Sequence, residues 1–525
     1  MGLPLAGRVG RALAERRTSQ AAPGGRAAMP ASAVIGVAIC IMVLALGLRV
    51  AGLSARALVY DETFSVLIAS QPLPRLLALV SANDPHPPLY YLLLHVWLAA
   101  FGSGELSVRS ISMLMGTGSV LVTFLLVRTL AGALPAALAS GMLALLPAHV
   151  AASQEGRMYV LLVLTSTASW WTLAAALDRE TVRWWGGYVL AVAATLYSHY
   201  FGFLVLIGQA IAVAIPGVAD PRARRRWLYA SIAASVLFLP WMPELANQVA
   251  SGRAWPAYRP PLSWWTVPHT LAGFLLGGPI VPAAGLGGWT LGPFREPAVL
   301  AAGTVAAVLA ATWASAGGEF PRRVRVFLLA SVFGPLLLAF AFSLTLNVYS
   351  PRYLIFIAPG LVATLGIRLA EAFGSEVRWW RWAAVAIVGV MLAPNLTGLV
   401  GLSRLSRLDD FDWRAISGAL AVQARADDVI AFMPGFSRIP VNYYFRGPQP
   451  RLALPPDGQD LFGTGEGTGL PEVLAQAPRV WVLTILPLPP ALNVLAAGLR
   501  REGFLFDRRL PVNRAVLLLW TQGRR

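Results

Sequence analysis

Residues 60–94 read YDETFSVLIASQPLPRLLALVSANDPHPPLYYLLL and follow an apolar run that ends near residue 53. The stretch gathers groups that can move protons. Asp61 and Glu62 come first. A carboxylate at a membrane surface suits general-base work, because partial burial raises its pKa towards the working pH. The competing reading is a solvated acidic pair at a helix end. Asp84 and His86 follow, inside Asp84-Pro85-His86-Pro87-Pro88. The prolines forbid helix until residue 88 has passed and restrict the chain before them. The segment is therefore either a rigid cap on the next helix or a mount that fixes Asp84 and His86 relative to Asp61. On such a mount His86 could bind phosphate, donate a proton or orient a sugar.

More candidates lie at the ends of later apolar runs. Glu155, Arg157 and Tyr159 sit in SQEGRMY, and Arg352 and Tyr353 in SPRYLIF. An arginine at a membrane boundary commonly just reaches for water. At a helix N-terminus, however, it opposes the helix dipole, so Arg352 is expected to meet an external anion, and a phosphate would suit. His199, in YSHYF, interrupts a long apolar run, and a histidine at membrane depth is a functional candidate. Arg253 lies in the long stretch 246–295, which also holds Trp264-Trp265, a pair suited to headgroup depth.

The elements that must position these groups follow from composition. The chain has 525 residues, 57% hydrophobic and 13% charged, with a mean hydropathy of +0.63. A soluble domain carries nearer a quarter charged residues. Apolar runs recur at roughly 32–53, 109–128, 133–151, 157–177, 184–198, 201–216, 227–245, 296–316, 326–347, 353–372 and 382–402, which predicts about eleven transmembrane helices. The shorter run 87–101 is excluded by charge. With it outside the bilayer, Arg128, Arg179, Arg183, Arg222 to Arg226, Arg322 to Arg325 and Arg378 to Arg381 all fall on the side of the basic N-terminus. The first helix is read as retained, with a cytoplasmic tail over 1–31. The acidic stretch, 87–101 as a juxtamembrane helix, and the C-terminus then face outward. The formal charge of +17 is spread between apolar runs and reads as membrane orientation, not nucleic-acid binding.

After about residue 403 the pattern changes. RLDDFDWRAISGALAVQARADDVIAFMP predicts a helix, a turn and a buried strand, and RVWVLTILP and AVLLLW predict further strands. A small external α/β domain over 403–525 follows, after a transmembrane domain over 32–402. GTGEGTG at 463–469 reads as a polar loop, since no strand of a βαβ unit directly precedes it. Cys40 is the lone cysteine, and the five histidines show no zinc-ligand spacing.

The ordered set of DPHPPLYYLLLHVWLAAFG, GELSVR, SQEGRMY, YSHYFG, SPRYLIFIAPG and DWRAI, after an acidic pair, resembles the dolichyl-phosphate-mannose-protein mannosyltransferase-like family of the GT-C membrane glycosyltransferases. The resemblance spans roughly residues 30–430, and it rests on the combined order of these motifs. It implies an α-helical polytopic membrane protein that transfers a sugar, with inversion, from a polyprenyl-phosphate donor to an acceptor hydroxyl outside the cytoplasm. The acceptor would be protein, lipid or glycan. Asp61 is implied as the catalytic base with Glu62 its motif neighbour. Asp84, His86, Tyr90, Glu155, Arg157, His199, Arg253, Arg352 and Tyr353 are implied on the substrate side. Relatives often carry an acid where Glu155 and Arg157 stand, and here the position reads Gln-Glu-Gly-Arg, without an aspartate. No cofactor is required by the resemblance, and a divalent cation stays open. The rival class is a transporter or flippase, whose inverted repeats and paired broken helices are not evident in the sequence.

Overall fold

The structure is a computed structural model that describes residues 30–251, 262, 266–276, 281–282, 289–290, 321–346, 348–405, 411–454, 477–486 and 491–523. The first helix, α1 (Ala31–Val50), has 20 residues, about 30 Å at 1.5 Å per residue, the thickness of a bilayer core. Ile35, Ile39 and Val43, spaced four apart, are more than half exposed. An outward apolar stripe of this kind suits lipid, not water.

Three short helices follow: α2 (Tyr60–Ala69), α3 (Leu73–Asn83) and α4 (Leu89–Phe101). Asp61 and Glu62 fall in the first turn of α2, where their charge complements the helix dipole. The Glu62 carboxylate also accepts the Val59 N–H at 3.0 Å, satisfying one of the turn's orphan donors. Asp84 to Pro88 separate α3 from α4, and α4 ends at Gly102 with φ +76°, a left-handed cap that needs glycine. With 13 residues, α4 reaches about 20 Å, too short to span.

The bundle continues with α5 (Glu105–Ala131), α6 (Ala133–Leu145), α7 (Pro147–Ser153), α8 (Tyr159–Arg179), α9 (Val182–Ser198), α10 (Gly202–Ala214), α11 (Pro221–Phe238), α12 (Met242–Ala250) and α13 (Thr266–Leu275). After residue 320 come α14 (Arg322–Leu346), α15 (Ala358–Gly374) and α16 (Arg378–Leu405). Among the described residues seven helices are long and apolar enough to cross a membrane, or eight if α6 and α7, bent by 64°, form one span. Two further expected crossings, α9 and α10, have 17 and 13 residues, and α10 is by length as short of a bilayer core as α4; the segment 296–316 lies outside the described residues. Small residues let helices close on one another: a Cβ on Gly366 of α15 would stand 2.7 Å from the Ala139 backbone of α6.

Beyond the bundle, α17 (Trp413–Gln423), α18 (Arg438–Tyr444) and α19 (Ala491–Arg501) accompany five strands: β1 (Val429–Met433), β2 (Arg451–Ala453), β3 (Arg479–Ile485), β4 (Phe504–Val512) and β5 (Ala515–Gln522). The sheet order is β2-β1-β3-β5-β4. β1 runs parallel to β2 and β3, while β5 is antiparallel to β3 and β4. β1 is buried throughout. One face of the sheet packs Trp413, Ile416 and Leu420 of α17, and the other Leu492 and Leu499 of α19. The expected strands are β1, β3 and β5. β2, three residues long, and β4, whose middle residues are exposed, have no apolar alternation for sequence reasoning to find. The stretch 463–469 lies outside the described residues. This unit docks on the bundle through α18. Tyr444 Oη accepts the Leu58 N–H at 2.7 Å and donates to Glu105, and Tyr443 Oη donates to the Ser103 carbonyl at 2.5 Å.

Candidate active site

Asp61 and Glu62 are neighbours in sequence and point into different surroundings. Glu62 is fully buried. Its Oε1 accepts Arg109 Nε at 2.7 Å and the Gly156 N–H at 2.9 Å, and its Oε2 accepts Arg109 Nη2 at 2.6 Å besides Val59 N–H. Arg109 also donates to the carbonyls of Leu53, Arg56 and Ala57. One guanidinium thus ties the end of the α1–α2 connection to the start of α2. Burial pushes the Glu62 carboxyl up, but Arg109 outweighs it and draws the value down to about 2. With every lone-pair direction used, Glu62 has nothing left to offer a substrate. A Cβ on Gly156 would stand 2.8 Å from Val108 Cγ1, so a larger residue there would have to push Val108 aside. Gln154 donates to the Arg49 and Ala51 carbonyls at the end of α1.

Asp61 keeps an opening: its side chain is 36% exposed. Its Oδ2 accepts Arg352 Nη1 at 2.9 Å, and Arg352 Nη2 pairs with Glu155. The guanidinium lies over the Tyr159 ring, 4.4 Å from its centroid. Arg352 sits in the turn before the helical run 355–374. The anion it meets in this structure is the protein's own pair of carboxylates, where an external one is expected from the sequence. The expected rise in the Asp61 pKa is also reversed. Burial pushes it up, but Arg157 and Arg352 pull harder, and the carboxyl titrates below its ordinary value.

A second cluster stands beside the first. His86 Nδ1 donates to Asp84 Oδ1, Tyr91 Oη donates to Asp84 Oδ2 at 2.5 Å, and Arg157 Nη2 lies 3.5 Å from the same oxygen. Arg157 Nη1 also donates to Ser65 Oγ at 3.1 Å and Tyr91 Oη at 2.9 Å. The Asp84 carboxyl, pushed up by burial, is held well below the carboxylate range by His86 and Arg157. The His86 ring meets His199 edge-on at 4.9 Å and Tyr353 at 5.8 Å, while Tyr159 and Tyr353 stack at 5.7 Å. His199 Nδ1 accepts the Phe201 N–H at 3.0 Å.

The structure therefore brings together Asp61, Asp84, His86, Glu155, Arg157, His199, Arg352 and Tyr353. Tyr90 lies apart, its hydroxyl on Ser112 at 3.1 Å, and the adjacent Tyr91 takes the place in the cluster. Sequence alone does not say which of two neighbouring tyrosines faces inward on a short helix. Arg109 is the other participant the reading missed, although it stands in the motif GELSVR; Tyr159, a candidate in SQEGRMY, stacks on Tyr353 and lies under the Arg352 guanidinium. Arg253 lies outside the described residues. Among those residues no three His, Cys, Asp or Glu side chains are arranged to hold a metal ion, and Asp61 and Glu155 share Arg352 as their cation. An apolar cleft lined by Leu126, Trp170, Phe327 and Phe356 shares no residue with the cluster.

Comparison with known proteins bears on the fold. The family model described as dolichyl-phosphate-mannose-protein mannosyltransferase matches residues 85–244, from Pro85 beside Asp84 to the start of α12. ArnT from Cupriavidus metallidurans, solved bound to undecaprenyl phosphate, aligns with a TM-score of 0.59 at 15% identity, over 92% of this chain and 98% of that one. The Archaeoglobus fulgidus oligosaccharyltransferase tethered to an acceptor peptide aligns with a TM-score of 0.52 at 12% identity, over 90% and 72%. No curated protein matches the chain. The fold is the ArnT-like GT-C fold of a multi-pass membrane protein. The chain is thus similar to the protein mannosyltransferase family model over 85–244 and to ArnT in fold.

Proposed function

We propose that the chain transfers a sugar from a polyprenyl-phosphate donor to an acceptor hydroxyl on the outer side of the plasma membrane, with inversion, and that Asp61 is the general base. One observation carries the assignment. Of the four carboxylates gathered here, Asp61 alone keeps a third of its side chain open, at the edge of a cluster rich in arginine. The location suits the substrate. A polyprenyl tail stays in lipid while its phosphate and sugar sit at headgroup depth, so catalytic groups belong on short helices at the mouth of the bundle. The undecaprenyl phosphate bound by ArnT supports a lipid phosphate as carrier.

Arg352 and Arg157 would receive the donor phosphate. A phosphate that takes Arg352 draws it from Asp61 Oδ2, and the carboxylate regains basicity as its cation leaves. Asp61 then removes the acceptor proton while the acceptor oxygen attacks the anomeric carbon opposite the phosphate. Glu62 contributes by fixing the turn that carries Asp61. On this reading the N-terminal tail 1–31 is cytoplasmic, 32–402 is the catalytic membrane domain, and 403–525 is an outer domain. The test is turnover of Asp61→Asn across a panel of polyprenyl-phosphate sugars, with donor binding measured in the same preparation. Loss of turnover with binding kept supports the base. Near-normal turnover transfers the role to Asp84 or Glu155.

A further inference from the structure

The base accounts for one proton of the reaction; the departing phosphate needs another. His86 has the geometry to supply it. Its Nδ1 is committed to Asp84. Asp84 is itself held by Tyr91 from α4 and by Arg157 from the 154–158 loop, and its backbone carbonyl by Gln248 of α12 at 3.1 Å. Pro85 and Pro87 flank the histidine and restrict its backbone. The imidazole is thus oriented by a buried carboxylate, as in a catalytic His–Asp pair. Nε2, on the opposite edge of the ring, makes no hydrogen bond among the described residues. The groups that face the ring are Asp84 on its own loop, Tyr159 of α8, His199 after α9, and Tyr353 of the turn that holds Arg352. Among the described residues no carboxylate other than Asp84 is hydrogen-bonded to it.

We infer that His86 is the general acid that protonates the leaving polyprenyl phosphate, with Asp84 as its positioning residue; this rests on the polyprenyl-phosphate reading above. The step balances. The acceptor O–H proton passes to Asp61, and the acceptor oxygen bonds to the anomeric carbon. The bond from that carbon to the phosphate oxygen breaks, and its electron pair stays on the oxygen. His86 Nε2–H then gives its proton to a phosphate oxygen, leaving neutral imidazole and a polyprenyl phosphate monoanion. Imidazoles and the second ionisation of phosphate monoesters both titrate between about pH 6 and 7, so a proton passes between the two classes with little driving force either way.

The product alone tests this, without knowledge of the sugar. The purified full chain in detergent is titrated with a short-chain polyprenyl phosphate between about pH 6 and 8.5. Above about pH 7 the free phosphate is dianionic and a free imidazole neutral, so a complex that shares a proton must take one up. Affinity should then fall about tenfold for each pH unit of rise, and the slope should vanish in His86→Gln. Histidine-selective ¹⁵N spectra of the wild type give an arm that needs no variant. Binding should move the signal of one imidazole Nε2, the nitrogen that shares its proton with the phosphate. An unchanged slope in His86→Gln, or no histidine signal that moves, overturns the acid. Failure of polyprenyl phosphate to bind at any pH overturns the lipid-phosphate reading itself, and the acid with it.

Discussion

Removing either acid of the Asp61-Glu62 pair should harm the protein, in opposite ways. Glu62 accepts two bonds from Arg109 and two from backbone N–H groups, with no exposure on either partner. Glu62→Gln leaves Arg109 charged, buried and facing an amide that cannot neutralise it. Breaking a buried pair from one side costs about 3–5 kcal/mol. The titration gives a similar scale: a carboxyl drawn from 4.5 to about 2 corresponds to about 3 kcal/mol. The sign follows from a depressed value. The contribution is full above pH 4.5 and is lost as pH falls through about 2. Asp61 shares a partly exposed pair with Arg352, worth at most about 1 kcal/mol to stability. Asp61→Asn should therefore melt near the wild type and lose about 10²–10⁴ in turnover, while Glu62→Gln should melt clearly lower and lose activity in step with folded protein. Melting curves in one detergent, with turnover normalised to folded protein, separate the two. Equal melting of Glu62→Gln and wild type would refute the buried-anchor argument.

Arg352→Ala should weaken donor binding by about 2 kcal/mol, the scale of a lost charge-assisted contact, with lysine rescuing in part because it lacks the planar fork; unchanged donor saturation would leave Arg157, His199 or Arg253. The same variant removes one of the two cations that hold Asp61 down, so the acid limb of kcat/KM should move to higher pH, and a limb that stays put would detach Asp61 from it. Tyr444→Phe removes the hydroxyl that joins Leu58 N–H to Glu105; it should cost about 1 kcal/mol and lower kcat more than it raises KM, whereas unchanged turnover would mean that α18 does not steady the Asp61 turn. In a Cys40→Ser background, cysteines at Gly104 and Val422 should react with an impermeant reagent on intact cells and one at Arg225 should not, all three positions being exposed; labelling at Arg225 would invert the proposed topology.

Much of the fold is legible in the chain because a bilayer leaves little choice. Runs of about 20 apolar residues have to be helices, since no other single segment satisfies its own backbone in lipid. The prolines at 85, 87 and 88 similarly decide where α4 begins. The two-sided burial of β1, β3 and β5 shows as continuous apolar sequence, whereas short β2 and the exposed edge strand β4 leave no such mark. The candidate site is legible as a set of residue types at the ends of apolar runs, because such groups are expensive inside a membrane and stand out against it.

What sequence could not decide is which of those groups meet. Asp61 and Glu62 are adjacent in the chain, and their different environments come from Arg109, 47 positions downstream, and Arg352, 291 positions downstream. Tyr90 and Tyr91 are equivalent as letters, and the rotation of α4 against α5 and the Asp84 loop separates them. The direction of the Asp61 titration reversed for the same reason: burial is a local tendency, but the two arginines that overrule it arrive by tertiary packing. The sequence by itself determined the solvent each segment must live in and the chemistry available at its ends. Partners, and with them pKa directions and roles, depend on distances of a few ångströms between residues far apart in the chain, and those distances exist only once the helices have packed.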